Sequence, residues 1–314
     1  MCDCSTISWW LAAWRALHFL ACLLPVGLLA FHLLVAAPVF RVAFGPSRAA
    51  CLTIFVSLIV ALVSGIAWML VVAGNIGDVT PMEAWRSGVT STVWNHTHFG
   101  DCWRVRADFW FLATAASVLM ILQKRPSVET AWFCLFATAD LLGGLAWAGH
   151  GLDGDGNAAR FHVVADAVHL VVCGVWPFGL APFAMALLML RKKTDSSRWN
   201  DASALTRRFS AVALICVGLL ILTGLVNSWF MLPSVSSLWR TGYGRVLSVK
   251  IVLFAGMLAL AAVNRLAFKP RLASDDNPEG TAICLQRNVV SELVLGTAVI
   301  LIVALLGLLS PPMI

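Results

Sequence analysis

Charge is scarce in this chain. Only 12% of its 314 residues are Asp, Glu, Lys or Arg, against 60% hydrophobic, and mean hydropathy is +0.86. A water-soluble domain of this length could not bury so much apolar surface. The sequence also lacks a Gly-x-x-x-x-Gly-Lys-Ser/Thr loop and any polar region large enough for a nucleotide-binding domain, which argues against an ATP-driven pump. Its nine cysteines are scattered, mostly inside apolar runs, and do not form the spaced pattern of a secreted disulfide framework. No charged region precedes the first apolar stretch, Trp9 to Phe40, which is too long for a signal-peptide core. It is therefore expected to be retained. The net charge of +6 gathers in a few loops, a pattern of membrane orientation rather than of nucleic-acid binding.

What is present is a succession of apolar runs of roughly 18 or more residues, the length that crosses a bilayer as a helix. Eight are read, at about 10–39, 50–73, 106–123, 130–149, 161–190, 208–232, 246–268 and 289–309. The expected fold class is all-α, a polytopic membrane protein whose eight helices form one domain over residues 1–314. Only the stretches Gly74–Val105 and Arg191–Arg207 are long enough to hold structure outside the bilayer. Lys and Arg are about twice as frequent in the loops after spans 1, 3, 5 and 7 as on the other side, where Arg15, Arg104, Arg106 and Arg240 are counted. That bias places both termini outside the cytoplasm. Cys2, Cys4, His96, His98, Cys102, His150 and His162 then gather at the outer side, as expected if a metal arrives from there.

The fifth span, "RFHVVADAVHLVVCGVWPFG", carries a polar stripe. At about 100° per residue His162, Asp166, His169 and Cys173 lie within roughly 60° of one another and descend about 16 Å. Neutral imidazoles bind copper, zinc or iron, and a carboxylate one turn away suits the role of accepting their second N–H. The alternative is that these groups only bond to neighbouring helices and set packing. Polar residues at membrane depth are costly, which favours a functional role. Span 1 repeats part of the pattern, with His18 and Cys22 one turn apart at the same expected depth as His169 and Cys173. If spans 1 and 5 touch, His18, His169 and one or both cysteines form a copper site, since imidazole with thiolate suits Cu(I). His32 lies deeper and reads equally as a packed, hydrogen-bonded histidine.

Near the outer surface, His96 and His98 could capture a metal, as could Cys2 and Cys4 beside Met1. A solvated interfacial segment and a disordered tail are the respective alternatives. His150 and His162 flank a short Gly/Asp turn and so share the outer mouth. Asp140 is a buried carboxylate suited to proton coupling or to pairing with Lys250 or an arginine. Lys250 and Glu292, also within spans, read as a structural ion pair.

These residues fall in stretches that resemble the copper resistance protein D family of bacterial inner-membrane proteins over almost the whole chain. The matching stretches include "ALHFLACLLPVG", "THFGDCWRVR", the "GH" at His150, "FHVVADAVHLVVCGVWPFGL", "RRFSAVALICVGLLILTGLVNSW", "TGYGRVLSVKIVLFAGMLALAAVNR" and "SELVLG" at Glu292. The resemblance implies copper movement across the inner membrane, in the direction of uptake from the periplasm. It implies a copper ion, Cu(I) or Cu(II), as cargo and His18, His162, Asp166 and His169 as the family's positions. It further implies a separate periplasmic carrier of the copper resistance protein C type, because no such domain is fused here. The pathway expected runs from His150, His162 and His98 to His18, His169 and Asp166. No enzymatic activity is expected. The rivals are a b-type haem redox protein, whose axial ligands are also paired intramembrane histidines, and an accessory protein for assembling a copper enzyme.

Overall fold

The computed structural model describes residues 9–40, 45–148, 156–195, 197–274 and 277–312. Eight helices are long and apolar enough to cross a membrane: α1 (Trp9–Phe40), α2 (Arg48–Gly77), α3 (His98–Leu122), α4 (Val128–Ala148), α5 (Asn157–Lys192), α6 (Arg198–Met231), α7 (Gly242–Leu272) and α8 (Pro278–Leu306). No strand occurs among the described residues. Three of the helices begin about ten residues earlier than their apolar runs. Thr97 caps α3, its hydroxyl accepting from Gly100 N at 3.1 Å, and Asn277 caps α8 through Gly280 N at 3.0 Å. The opening turns of α3, α6 and α8 are polar and extend past the hydrophobic core, those of α3 and α8 as capped helix. The segment before α3 folds as two short helices, Pro81–Arg86 and Val89–His96, the first closed by a Thr80/Glu83 capping box. The linker after α5 is taken up largely by the first turns of α6.

Helix α1 is the most enclosed span and packs on α2, α4, α5 and α8. One apolar cluster joins α1 to α2, α3 and α4; a second joins α5 to α6, α7 and α8 and takes Phe31 and Val35 from α1. Helices α6 and α7 turn large apolar side chains outward, among them Ile215, Leu222, Leu225 and Val252, as lipid-facing helices do. Leu306 and Gly307 return to Arg15, so the start of α1 and the end of α8 lie at one end of the bundle, here the terminal face.

Three spans depart from regular α-helix well away from that face. Helix α1 widens to a π turn at Phe31–Ala36, and α7 does so at Asn264–Phe268. Helix α5 breaks at Trp176–Gly179, where Pro177 removes a backbone donor. The break is also the contact with α1. A Cβ on Gly27 would stand 2.5 Å from the Phe178 carbonyl carbon, so only glycine lets the two backbones meet. Gly218 on α6 has open space around it. Gly27→Ala is therefore expected to lower stability in detergent by about 1–3 kcal/mol, with Gly218→Ala within about 0.5 kcal/mol of wild type. Equal melting temperatures for the two variants would contradict the close contact.

Candidate functional site

The polar groups of α1 and α5 face different neighbours. His18 is 2% exposed and turns toward α2 and α3. Its Nδ1 lies 2.9 Å from the Ala61 carbonyl, which can only accept, so Nδ1 carries the proton. Nε2 then accepts from Arg106 Nη2 at 2.7 Å, with Cys22 Sγ 3.6 Å away. Arg106, equally buried, also donates Nε–H to Leu141 O at 3.1 Å and lies 4.6 Å from the Trp103 ring. Both imidazole nitrogens are engaged. A metal at His18 would have to displace a guanidinium from Nε2, and Cys22 is closed into the same cluster.

His169 faces the other way, toward α6. Its Nδ1 is 2.8 Å from Thr223 Oγ1, and that hydroxyl donates to Leu219 O at 2.7 Å. The threonine hydrogen is thus committed, so Nδ1 is the donor and the Nε2 lone pair is left for a ligand. His169 and Cys173 line a cavity of about 290 Å³ closed by α6, α7 and α8, and Met257 and Lys250 reach it from α7. Above it, toward the terminal face, a cavity of about 430 Å³ is lined by His162, Asp166, Asn227, Tyr243, Lys250 and Arg15. Lys250 lines both. Arg15 holds its guanidinium 4.8 Å from the Trp68 ring centre. His162 stacks on Phe230 at 4.7 Å.

Asp166 does not orient the histidines as the stripe suggests. Its Oδ1 accepts from Asn227 Nδ2 at 2.9 Å, and neither imidazole bonds to it among the described residues. Asn227 Oδ1 is buried with no donor among those residues. Thr223 performs the orienting role expected of Asp166. The expected pairing of Lys250 with Glu292 is likewise replaced: Glu292 accepts from Asn264 Nδ2 instead.

His98 and Asp140 line a separate cavity of about 560 Å³ between α3, α4 and α5, together with Asp101 and Cys102, and Asp140 is exposed there rather than buried as its place in the span suggests. His96 is exposed at the end of its short helix, and His32 lies in the π turn of α1. His150, Cys2 and Cys4 lie outside the described residues. His18, His98, His162 and His169 each line a different cavity. Among the described residues the geometry therefore offers no facing imidazole pair on α1 and α5 for a haem or a shared copper. Three residues were not singled out by sequence: Arg106, counted among loop charges; Met257, one apolar residue among many in α7; and Thr223. Only the depth of the last two could have signalled them, since Thr223 and Met257 fall on the spans next to the stripe.

Eight apolar helices with ionisable groups lining interior cavities define a polytopic membrane protein. Residues 5–161 match the family described as Copper resistance protein D-like, N-terminal domain, and residues 203–306 match that described as Copper resistance protein D. The chain belongs to the copper resistance protein D family and is a multi-pass inner-membrane protein. It is 28% identical over 221 residues to Copper resistance protein D of Pseudomonas syringae pv. tomato, covering 69% of this chain and 70% of that one. Copper transport protein CutJ of Bacillus subtilis is 29% identical over 215 residues, 65% of this chain and only 37% of CutJ. Inner membrane protein YebZ of Escherichia coli is 24% identical over 258 residues, covering 80% and 81% of the two chains. No solved structure matches. Residues 162–202, which hold the whole α5 stripe, fall between the two family matches.

The His18–Arg106 bond is testable without any metal. A double-mutant cycle with His18→Ala and Arg106→Met, read by thermal unfolding, is expected to give a coupling of about 1 kcal/mol or more, near the upper range for polar pairs between membrane helices. Additive effects would show that the two side chains do not interact.

Proposed function

We propose that this protein carries copper across the inner membrane through the two stacked cavities of α5–α8, with the eight helices acting as one unit. The observation that carries the reading is the tautomer of His169: Thr223 holds Nδ1–H and leaves the Nε2 lone pair to a cavity it shares with Cys173 and Met257. Imidazole, thiol and thioether together favour Cu(I) over hard cations. His162 and Asp166 serve the cavity nearer the terminal face. Asp166 offsets the charge of an entering cation, and Lys250 between the chambers competes for that carboxylate when no metal is present. His18 and Cys22 act in this scheme by tying α1 to α2 and α3, with Arg106 as their partner, rather than by holding metal. His98, Asp140 and His150 are assigned to the outer approach.

The loop charges support placing the terminal face in the periplasm, and copper then moves inward from a separate periplasmic carrier of the copper resistance protein C type. Names of relatives support the cargo: copper resistance and copper transport. No enzymatic role is assigned.

The test is copper binding to purified protein in detergent, with Cu(I) held reduced. His169→Ala and Met257→Leu are each expected to weaken binding at least tenfold, about 1.4 kcal/mol. Thr223→Val, which frees the imidazole tautomer, is expected to weaken it about tenfold. His18→Ala is expected to leave the affinity within a factor of three. Loss of binding in His18→Ala with no change in His169→Ala would overturn the assignment.

A further inference from the structure

We propose that Glu292 carries a proton in the resting protein, and that the cavity around it is a proton-binding site distinct from the chambers assigned to copper. The cavity, of about 220 Å³, lies between α5, α6, α7 and α8 on the side of the α5 break away from the terminal face. From Lys250 to Asn264 the rise along α7 is about 21 Å. Trp176 and Met257, each 1% exposed, stand between it and the cavity of His169.

Hydrogen-bond partners and the lack of a paired cation together decide the protonation state; Asp166 has the same kind of amide partner but shares its cavity with Lys250. Glu292 is 2% exposed, and its carboxyl accepts from Asn264 Nδ2. Asn264 Oδ1 is buried and has no donor among the described residues. A carboxylate has no hydrogen to give it, whereas a carboxylic acid does. With Oε1 accepting from one Nδ2–H, a protonated second carboxyl oxygen can supply the hydrogen that Oδ1 lacks. Exchanging the amide oxygen and nitrogen does not remove the need, since two acceptors would then face each other unless the carboxyl held the proton. Asn264 also opens the π turn of α7, a deviation that recurs at functional positions in helices.

Among the described residues, no cation forms an ion pair with Glu292. Arg265 is the one other ionisable side chain of theirs lining the cavity, and its Nη1 donates to Ser210 O at 3.1 Å and Oγ at 2.9 Å. From α6, Thr206 turns its hydroxyl hydrogen to Ala202 O at 2.7 Å. From α5, Trp176, Leu180 and Phe183 present apolar walls, and Arg191 beyond them is bonded to Gln286 Oε1 at 2.5 Å. Lys269 and Arg271 lie past the π turn and outside the lining. A lone carboxylate among these walls is costly; the acid is not. Ionisation releases one proton to water and leaves one negative charge in the chamber, so proton occupancy sets the charge that any passing cation meets. None of these steps uses copper, and the site stands or falls apart from the transport reading.

Infrared spectra of the full-length protein in lipid vesicles, free of copper, test it. Wild type at neutral pH is expected to show the carbonyl stretch of an un-ionised carboxylic acid that Glu292→Gln removes. Asn264→Leu keeps the acid but takes away its amide partner, and is expected to displace that band. Identical carboxylic-acid regions in wild type and Glu292→Gln would overturn the proposal. If Glu292→Gln does not fold, Asn264→Leu decides alone: a displaced band supports the site and an unmoved one overturns it.

Discussion

A polar atom surrounded by acyl chains and apolar side chains must find a partner inside the protein, because no water is there to serve it. Much of the arrangement of this bundle follows from that requirement. His18 reaches the Ala61 carbonyl on α2 and Arg106 on α3, and Arg106 in turn reaches the Leu141 carbonyl on α4. One imidazole and one guanidinium thus tie four helices together. Asn227 and Asn264 each bring an amide to a carboxyl on a neighbouring span, Asp166 and Glu292 respectively. These bonds fix the rotation of each helix more narrowly than its apolar residues do, since leucine and valine pack acceptably in several orientations.

The two halves use polar residues differently. Both ring nitrogens of His18 are bonded, and the aromatic rings of Trp68 and Trp103 close over the imidazole at 5.6 and 5.3 Å. That cluster is a fastening. Along α5 and α6 polar groups that line the cavities keep open valences: His169 keeps a lone pair, and Asn227 keeps an acceptor. In the proposed reading the same contrast separates the residues that hold the fold from those that handle the cargo.

The eight spans were legible because an apolar run of that length is stable almost nowhere but in a bilayer. Their starts were less so: the turns around Asp101 and Arg104 in α3, Asp201 and Arg207 in α6, and Gln286 and Arg287 in α8 are helical but too polar to register as membrane. The α5 stripe was also legible, since four polar residues at helical spacing stand out among valines. Its partners were not. Nothing in the order of residues distinguishes Met257 from the leucines beside it, or tells that Arg106 turns inward while Arg104 bonds Asp101 at the surface. The convergence of His18 with His169 failed for a related reason. Equal depth on two touching helices says nothing about azimuth, and the two side chains leave the α1–α5 contact in opposite directions.

Lys250 lies on the border between the upper and lower chambers of α5–α8, the one lysine among the described residues that touches both. On the proposed pathway an ammonium at that border would grade its visitors by valence, for Coulomb repulsion grows in proportion to their charge. Zinc or cupric ions would then meet twice the barrier that a cuprous ion meets, before any ligand preference is felt. Discrimination among metals would then begin with electrostatics at a threshold, and the soft sulfur and imidazole donors beyond it would only refine the choice.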